Sequence, residues 1–241
     1  MKYLILLFVM ALAAKNASAQ NIPVLCYHQI YAGGNHKNDL LHISWEQLNN
    51  QLKALADSGY HTILPDELLM YLTEKKTISP GSFIITFDDS HKEHFSIADS
   101  LLRRYGFRGV FFVMTVTIEK PGYMTAAQIK ALAGHGHIVA AHTWDHPHLY
   151  TTGKMDWEKQ LIRPRKVLEK ITGKPVWYFA YPFGEWNDTI ISYLKKNGYR
   201  AAFQLNGRRE STVYTIRRMM VDGRWSGTRL QQEMTRFNKG D

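Results

Sequence analysis

Short apolar runs alternate with amphipathic stretches along most of the chain. Residues 83–87 (FIITF) are all apolar or β-branched, a pattern typical of a buried strand. Similar runs predict seven further strands, at residues 22–27, 61–64, 109–114, 137–141, 177–181, 201–204 and 212–221.

Between these runs lie segments with helical spacing and helix-boundary residues. They predict helices at residues 45–57, 65–75, 98–105, 125–136, 154–172 and 188–197, and a polar loop at 31–41. Strands and helices alternate about seven times without a linker or an internal repeat. We therefore predict a single α/β domain with a largely parallel sheet, and closure into a barrel is the natural way to bury so many apolar strands.

Polar groups follow several of the predicted strands directly. His28, Asp88, Asp89 and His142 each come just after an apolar run, as do residues 182–184. Chemistry in parallel barrels gathers at the carboxyl ends of the strands. An adjacent Asp pair is often only a polar turn, but at a strand end one carboxylate can hold a metal while the other takes a proton.

His142 and His146 add two imidazoles to this edge. Their i, i+4 spacing predicts two rings on the same side of one helical turn. One carboxylate and two imidazoles suit zinc with a position left for water, although manganese, cobalt, nickel or iron also fit. A bound metal lowers the pKa of its water, and a second carboxylate can accept the proton. The chain has no G-x-S-x-G motif and Cys26 lacks a nucleophile signature, so covalent acyl transfer is disfavoured.

Composition indicates a globular, exported protein. The 241 residues are 45% hydrophobic and 21% charged. Residues 1–19 have a basic start, an apolar run too short to span a bilayer and a small-x-small ending, so we predict a signal peptide and a mature domain at 20–241, with a retained anchor as the alternative. Cleavage leaves 28 basic and 21 acidic residues, a formal charge of +7 that suits an anionic envelope or polymer. We expect neither nucleic acid as a partner nor a membrane span in the mature chain.

Three motifs carry a family resemblance. TFDD at 86–89, HTWDH followed by PHL at 142–149, and YPFG at 181–184 resemble the successive motifs of the NodB-type polysaccharide deacetylases, carbohydrate esterase family 4. The likeness runs from about residue 22 to 221. It implies a distorted (β/α)7 barrel, a divalent metal held by Asp89, His142 and His146, Asp88 as the general base, and removal of N-acetyl groups from an amino-sugar polymer.

The chain departs from the family pattern at three points. Ser90 replaces the usual Gly after the Asp pair, and Ala180 stands where most members carry an Arg that orients the base. The late Leu-x-His motif is missing, since no His follows His148. We interpret this as a permuted motif order, in which the first strand ends in the general acid or oxyanion stabiliser His28. IPVLCYH and AYPFG resemble the branch that deacetylates poly-β-1,6-N-acetylglucosamine.

Further site residues follow from this resemblance. Arg217 or Arg218 can replace the missing Arg, and we favour Arg218 because alternation along a strand lets only one of them point inward. The backbone N–H of Phe183 is expected to donate to the oxyanion. Tyr181 and Trp186 are predicted to bind substrate.

Four other histidines are assigned no chemistry. His91 and His94 are interpreted as part of a solvated loop, and His135 and His137 as a turn.

The predicted function is an exported bacterial deacetylase of an N-acetylglucosamine polysaccharide, either periplasmic or extracellular. The alternatives are a peptidoglycan deacetylase, an O-acetyl esterase acting on xylan, or a glycan-binding module that has lost the reaction. The sequence leaves the glycan, its linkage, the native metal and the oligomeric state open.

Overall fold

A computed structural model describes residues 22–34, 36–149, 155–205 and 212–239. The predicted signal peptide lies outside these residues. The strands in the described ranges are β1 (Val24–Tyr27), β2 (Gln29–Tyr31), β3 (His42–Ser44), β4 (His61–Thr62), β5 (Ser82–Phe87), β6 (Val110–Val113), β7 (Ile138–Ala141), β8 (Tyr178–Ala180), β9 (Ala201–Gln204), β10 (Ile216–Arg217) and β11 (Met219–Met220).

The helices surround these strands. The α-helices are α1 (Trp45–Asp57), α2 (Pro65–Glu74), α3 (Ser100–Arg104), α4 (Ala126–Gly134), α5 (Arg163–Thr172), α6 (Asp188–Lys196) and α7 (Gly227–Lys239). π-Helical turns at His94–Asp99 and Glu158–Ile162 lead into α3 and α5, and 3₁₀ turns lie at Thr115–Thr117 and Pro182–Gly184. Within the described ranges, no helix combines the length and the apolar character that crossing a bilayer requires.

The main sheet is parallel and nearly closed. Its strands lie in the order β10, β9, β8, β7, β6, β5, β1, β11, and each neighbouring pair is parallel. β10 and β11 are separated only by Arg218, so one short segment pairs with both edges of the sheet. Counting that segment once gives seven strand positions. The fold is therefore the distorted (β/α)7 barrel that the resemblance implies, in a single domain.

Alternation along the strands sorts side chains into two layers. One buried cluster includes Val24, Ile84 and Phe112 and lies on one face of the strands. The neighbouring residues, such as Leu25 and Ile85, pack in a second cluster against the surrounding helices. Both layers are mostly apolar along the strands, and more polar groups appear where the strands end.

Some predicted elements are wrong in detail. The helix predicted at 98–105 begins earlier, as the π-helical turn at His94–Asp99. The strand predicted at 212–221 is two short strands, since Arg218 interrupts it. The pair β2 and β3 was not predicted, and neither was α7, whose buried residues Leu230, Met234 and Phe237 follow a helical spacing.

Candidate active site

The Asp pair lies at a sharp bend after β5. The backbone N–H of Asp88 donates to the Tyr27 carbonyl at 3.0 Å, which continues the pairing of β5 with β1. Asp89 and Ser90 then adopt left-handed backbone conformations, with φ of 75° and 66°. Ser90 accepts from the Met114 N–H through its hydroxyl at 2.8 Å, a bond that the usual glycine could not make.

Arg218 holds the Asp88 carboxylate on both oxygens. Its Nη1 lies 2.7 Å from Oδ1 and its Nη2 lies 2.8 Å from Oδ2, and both side chains are buried. Burial by itself would raise the pKa of Asp88, but the Arg218 charge and its hydrogen bonds lower that pKa well below its ordinary value. Arg217 turns away and donates to the Phe237 carbonyl at 3.2 Å.

Asp89, His142 and His146 converge next to this pair. Asp89 Oδ1 lies 3.6 Å from His142 Nε2 and 3.7 Å from His146 Nε2. One ligand atom from each residue lies within 4.8 Å of the other two. The Nδ1 of His142 donates to the Ala180 carbonyl at 2.8 Å, so its Nε2 carries the lone pair that faces Asp89.

The segment that joins the two histidines is not helical. Thr143 and His146 have φ of 64° and 59°. The Thr143 hydroxyl accepts from the His146 N–H at 2.9 Å and brings the two rings to a centroid distance of 4.7 Å. The helical turn predicted from the i, i+4 spacing is therefore wrong, and a tight non-helical turn brings the rings together.

The electrostatics of the three residues fit a divalent cation. Burial and the neighbouring Asp88 raise the pKa of Asp89 to about 7. Burial lowers the pKa of His142 to about 3 and also lowers the pKa of His146. Two neutral imidazoles and one carboxylate are the donor set that a cation such as Zn²⁺ binds.

His28 approaches Asp88 from β1. Its Nε2 lies 3.9 Å from Asp88 Oδ2, and the same oxygen lies 3.9 Å from His142 Nε2. Burial lowers the pKa of His28. Cys26, two residues before His28, is fully buried, and its Sγ lies 3.7 Å from Asp88 Oδ2. Burial raises the pKa of this thiol.

The third motif contributes an exposed ring as well as a backbone turn. Phe183 has a φ of 57°, and its side chain is 50% exposed. The ring stacks on His148 at a centroid distance of 3.9 Å and meets the His146 ring edge-on at 4.5 Å. Only the backbone of Phe183 was predicted to act, although an aromatic residue two positions after the strand predicted at 177–181 was a signal for this ring.

Tyr181 and Trp186 occupy different environments. Tyr181 is fully buried and donates its hydroxyl to the Tyr214 carbonyl at 2.9 Å. A sugar contact by Tyr181 is therefore excluded in this structure, because the ring belongs to the core. Trp186 is half-buried and packs against the main core cluster.

The four histidines interpreted as loop and turn residues differ in burial, since only His94 and His137 are buried. His94 is fully buried, and its Nε2 lies 2.7 Å from the His28 carbonyl oxygen. His135 and His137 both bond to Asp99 Oδ1 at 2.9 Å, and His137 is buried. The solvated loop is therefore wrong for His94, whereas His135 and Gly136 do form the predicted turn, from which the His137 ring points into the protein. The spacing of His94 with Ala98 and Leu101 matches one helix face and was the signal for burial.

Comparison with known proteins agrees with this geometry. Residues 75–202 match the polysaccharide deacetylase family model, so the chain belongs to the polysaccharide deacetylases, a family of hydrolases. YxkH of Bacillus subtilis (strain 168), named as a polysaccharide deacetylase, is 26% identical over 217 residues, which are 89% of this chain and 76% of that protein.

Two solved structures share the fold. The Streptococcus pyogenes deacetylase PplD in complex with acetate aligns with a TM-score of 0.81 at 22% identity, over 88% of this chain and 97% of that one. A de-N-acetylase from Aggregatibacter actinomycetemcomitans aligns with a TM-score of 0.73 at 18% identity, over 88% and 98%.

Proposed function

We propose that the protein is an exported, metal-dependent hydrolase that removes N-acetyl groups from a polysaccharide containing N-acetylglucosamine. The observation that carries the proposal is a pair of adjacent carboxylates in two different environments. Asp88 is held ionised by Arg218, and Asp89 lies beside two neutral imidazoles. This arrangement suits a water nucleophile and a base in one buried site.

Asp89, His142 and His146 would hold the cation. When bound, a divalent cation supplies a Lewis acid that lowers the pKa of water and polarises a carbonyl group. The hydrogen bond from His142 to the Ala180 carbonyl orients one of the two rings for that purpose.

Asp88 would act as the general base. Its Oδ2 lies 3.9 Å from the nitrogens of both His28 and His142, so the carboxylate borders the space between them. It would take a proton from water while the water oxygen attacks the acetyl carbon. Arg218 keeps this carboxylate in one orientation and in the ionised form.

His28 would complete the proton transfer. Its lowered pKa makes the ring neutral near neutral pH, so it needs a proton before it can serve as an acid. Asp88 lies 3.9 Å away and is the group that can supply this proton after the attack. His28 would then protonate the sugar nitrogen as the C–N bond breaks, which leaves acetate and a free amine. The Phe183 N–H would stabilise the oxyanion.

The surroundings of the site support a carbohydrate substrate. The exposed face of the Phe183 and His148 stack lies beside His146, and aromatic faces of this kind pack against sugar rings. The likeness to a de-N-acetylase supports an N-acetyl substrate, and the signal-type segment at 1–19 supports export. The contacts of Arg218 and His28 with Asp88 favour an enzyme over a binding module without activity.

The test follows acetate release by purified protein loaded with zinc, cobalt, nickel, manganese or iron(II). β-1,6- and β-1,4-linked N-acetylglucosamine oligomers, peptidoglycan and acetylated xylan are compared side by side. We expect turnover on N-acetylated oligomers, its loss on chelation, and its loss in both Asp88→Asn and His142→Ala.

Asp145→Asn is the matched control, because Asp145 lies between the two histidines but accepts from Gln160 at 2.8 Å. It should keep the wild-type rate. Acetate release by Asp88→Asn at that rate would show the assigned roles to be wrong. Turnover confined to xylan would make the protein an O-acetyl esterase, and glycan binding without any acetate release would make it a binding module.

A further inference from the structure

His94 makes a single directed contact inside an aromatic pocket. Its ring lies 5.5 Å from that of Phe87, 5.7 Å from that of His91 and 6.2 Å from that of Phe111, between centroids. The Nε2 lies 2.7 Å from the His28 carbonyl oxygen. Because a carbonyl oxygen only accepts, Nε2 carries the proton and donates it.

The other ring nitrogen, Nδ1, makes histidine an unfavourable residue for this pocket. Nδ1 is buried and has no hydrogen-bond partner among the described residues. An unsatisfied buried polar atom destabilises the folded state. A phenylalanine would suit the aromatic surroundings without that cost, so the bond from Nε2 is what the imidazole adds.

The bond matters because no side chain in the described ranges holds the His28 ring through a short hydrogen bond. Its Nε2 lies 3.9 Å from Asp88 Oδ2, which is beyond hydrogen-bond distance. Its Nδ1 lies 4.0 Å from Cys26 Sγ, at the limit for a weak hydrogen bond to sulfur. The position of the ring therefore depends on its backbone. The last bond between β1 and β5 is the one from Asp88 N–H to the Tyr27 carbonyl, and the next carbonyl along β1 is the one that His94 binds.

The local backbone brings His94 to that carbonyl. His94 begins the π-helical turn His94–Asp99, which follows the bend at Asp89 and Ser90. π-Helical turns are rare and often lie at functional sites. The π-helical turn after β5 thus binds the chain at the end of β1. This bond is added to the one between Asp88 N–H and the Tyr27 carbonyl.

We propose that His94 is a positioning residue, which holds His28 against Asp88 by donating Nε2–H to the His28 carbonyl. The inference rests on the proposed function, because it concerns the residue assigned there as the acid. His94 is fully buried, and within the described residues no hydrogen bond or ring contact joins it to Asp89, His142 or His146. Its effect should therefore appear in the chemical step rather than in substrate binding.

Three substitutions separate the bond from the volume of the ring. His94→Gln can place an amide N–H where Nε2 lies, His94→Asn can place one only near Nδ1, and His94→Phe fills the pocket with no donor. We expect kcat to fall by about 10–100-fold in His94→Asn and His94→Phe with KM nearly unchanged, since a misplacement of about 1 Å can cost on the order of 100-fold. His94→Gln should recover most of the rate.

Crystal structures of the same variants give a second measurement that does not depend on activity. The distance from His28 Nε2 to Asp88 Oδ2 should widen in His94→Phe and stay near the present 3.9 Å in His94→Gln. Thermal melting of each variant confirms that it remains folded. A general packing role would lower the melting temperature of the Gln and Asn variants alike and would not separate their rates.

The two hypotheses fail in different ways. If wild-type protein releases no acetate, the proposed function is wrong, and the crystallographic distances still decide whether His94 positions His28. If wild-type turnover depends on Asp88 while His94→Phe keeps both the wild-type kcat and the His28 position, the inference about His94 alone is overturned.

Discussion

Asp88 lies next to side chains that come from opposite ends of the sequence. Arg218 precedes β11, His28 follows β1, and these two strands are neighbours in the barrel. Ala180, at the usual place of the family's Arg, is buried and has no side chain to reach Asp88. We interpret Arg218 as its replacement, because its guanidinium binds both oxygens of Asp88, the residue proposed as the base.

Removal of the Arg218 charge should be costly. Arg218→Met leaves a buried carboxylate unpaired, and breaking a buried pair in this way costs about 3–5 kcal/mol. We expect a loss of that size in the free energy of unfolding, measured by urea denaturation, together with loss of acetate release.

The adjacent residue provides the control for this substitution. Arg217→Met removes a half-buried cation that contacts the Phe237 ring and carbonyl, a loss of about 1 kcal/mol. It should leave acetate release unchanged. Equal losses of stability in the two variants would contradict the role given to the buried pair.

At the scale of elements, the strands and most helices follow from the sequence because their apolar periodicity is strong. Helix α1 has the predicted bounds, with the Ser44 hydroxyl accepting from the Gln47 N–H at 3.2 Å. The π-helical turns were not predictable, because a π-turn and an α-turn bury the same types of residue. Helix α7 was predictable from Leu230, Met234 and Phe237, and it packs against α1.

The turn of the third motif depends on a close approach of two segments. Gly184 has a φ of 71°, and a Cβ there would lie 2.4 Å from the Leu205 nitrogen. Gly184→Ala should therefore lower the free energy of unfolding by at least about 3 kcal/mol, since left-handed strain and overpacking add. Denaturant unfolding measures the loss, and acetate release should fall with it because Phe183 moves.

Gly173 is the matched position for comparison. Its φ of 68° is similar, but nothing lies within 4 Å of the Cβ that an alanine would add. Gly173→Ala should cost only about 1 kcal/mol of strain. A similar cost for both alanine variants would mean that the contact with Leu205 is not rigid.

At the scale of the whole molecule, the barrel and the residues at its strand ends were predictable because parallel strands bring their ends to one edge. The supporting residues were not, because His94, Asp99 and His137 act through contacts between segments far apart in the chain. A residue pattern predicts which face of a helix or strand is buried, but not which segment that face will contact.

Buried histidines should make the folded protein sensitive to acid. Burial lowers the pKa of His94 to about 3, although its bond to the His28 carbonyl and the charge of Asp88 oppose the shift, while His91 and His28 add to it. The unfolded chain binds this proton near pH 6.5 and the folded chain does not, so stability is complete above about pH 6.5 and falls as pH decreases toward 3.

The slope for one such proton is about 1.4 kcal/mol per pH unit. Urea unfolding at about pH 7 and about pH 5 should therefore show a smaller loss for His94→Gln than for wild type, because Gln does not titrate. Identical losses in the two proteins would mean that His94 takes up its proton in the folded state as readily as in the unfolded one.

Closure of the barrel has a consequence for how the protein would lose activity. The segment from Ile216 to Met220 is a seam that joins the two edges of the sheet, and Arg218 sits in the middle of it. Any opening of the seam draws the guanidinium away from Asp88. We therefore expect local opening of this one segment to remove the partner that keeps Asp88 ionised, and activity to be lost before the rest of the barrel unfolds.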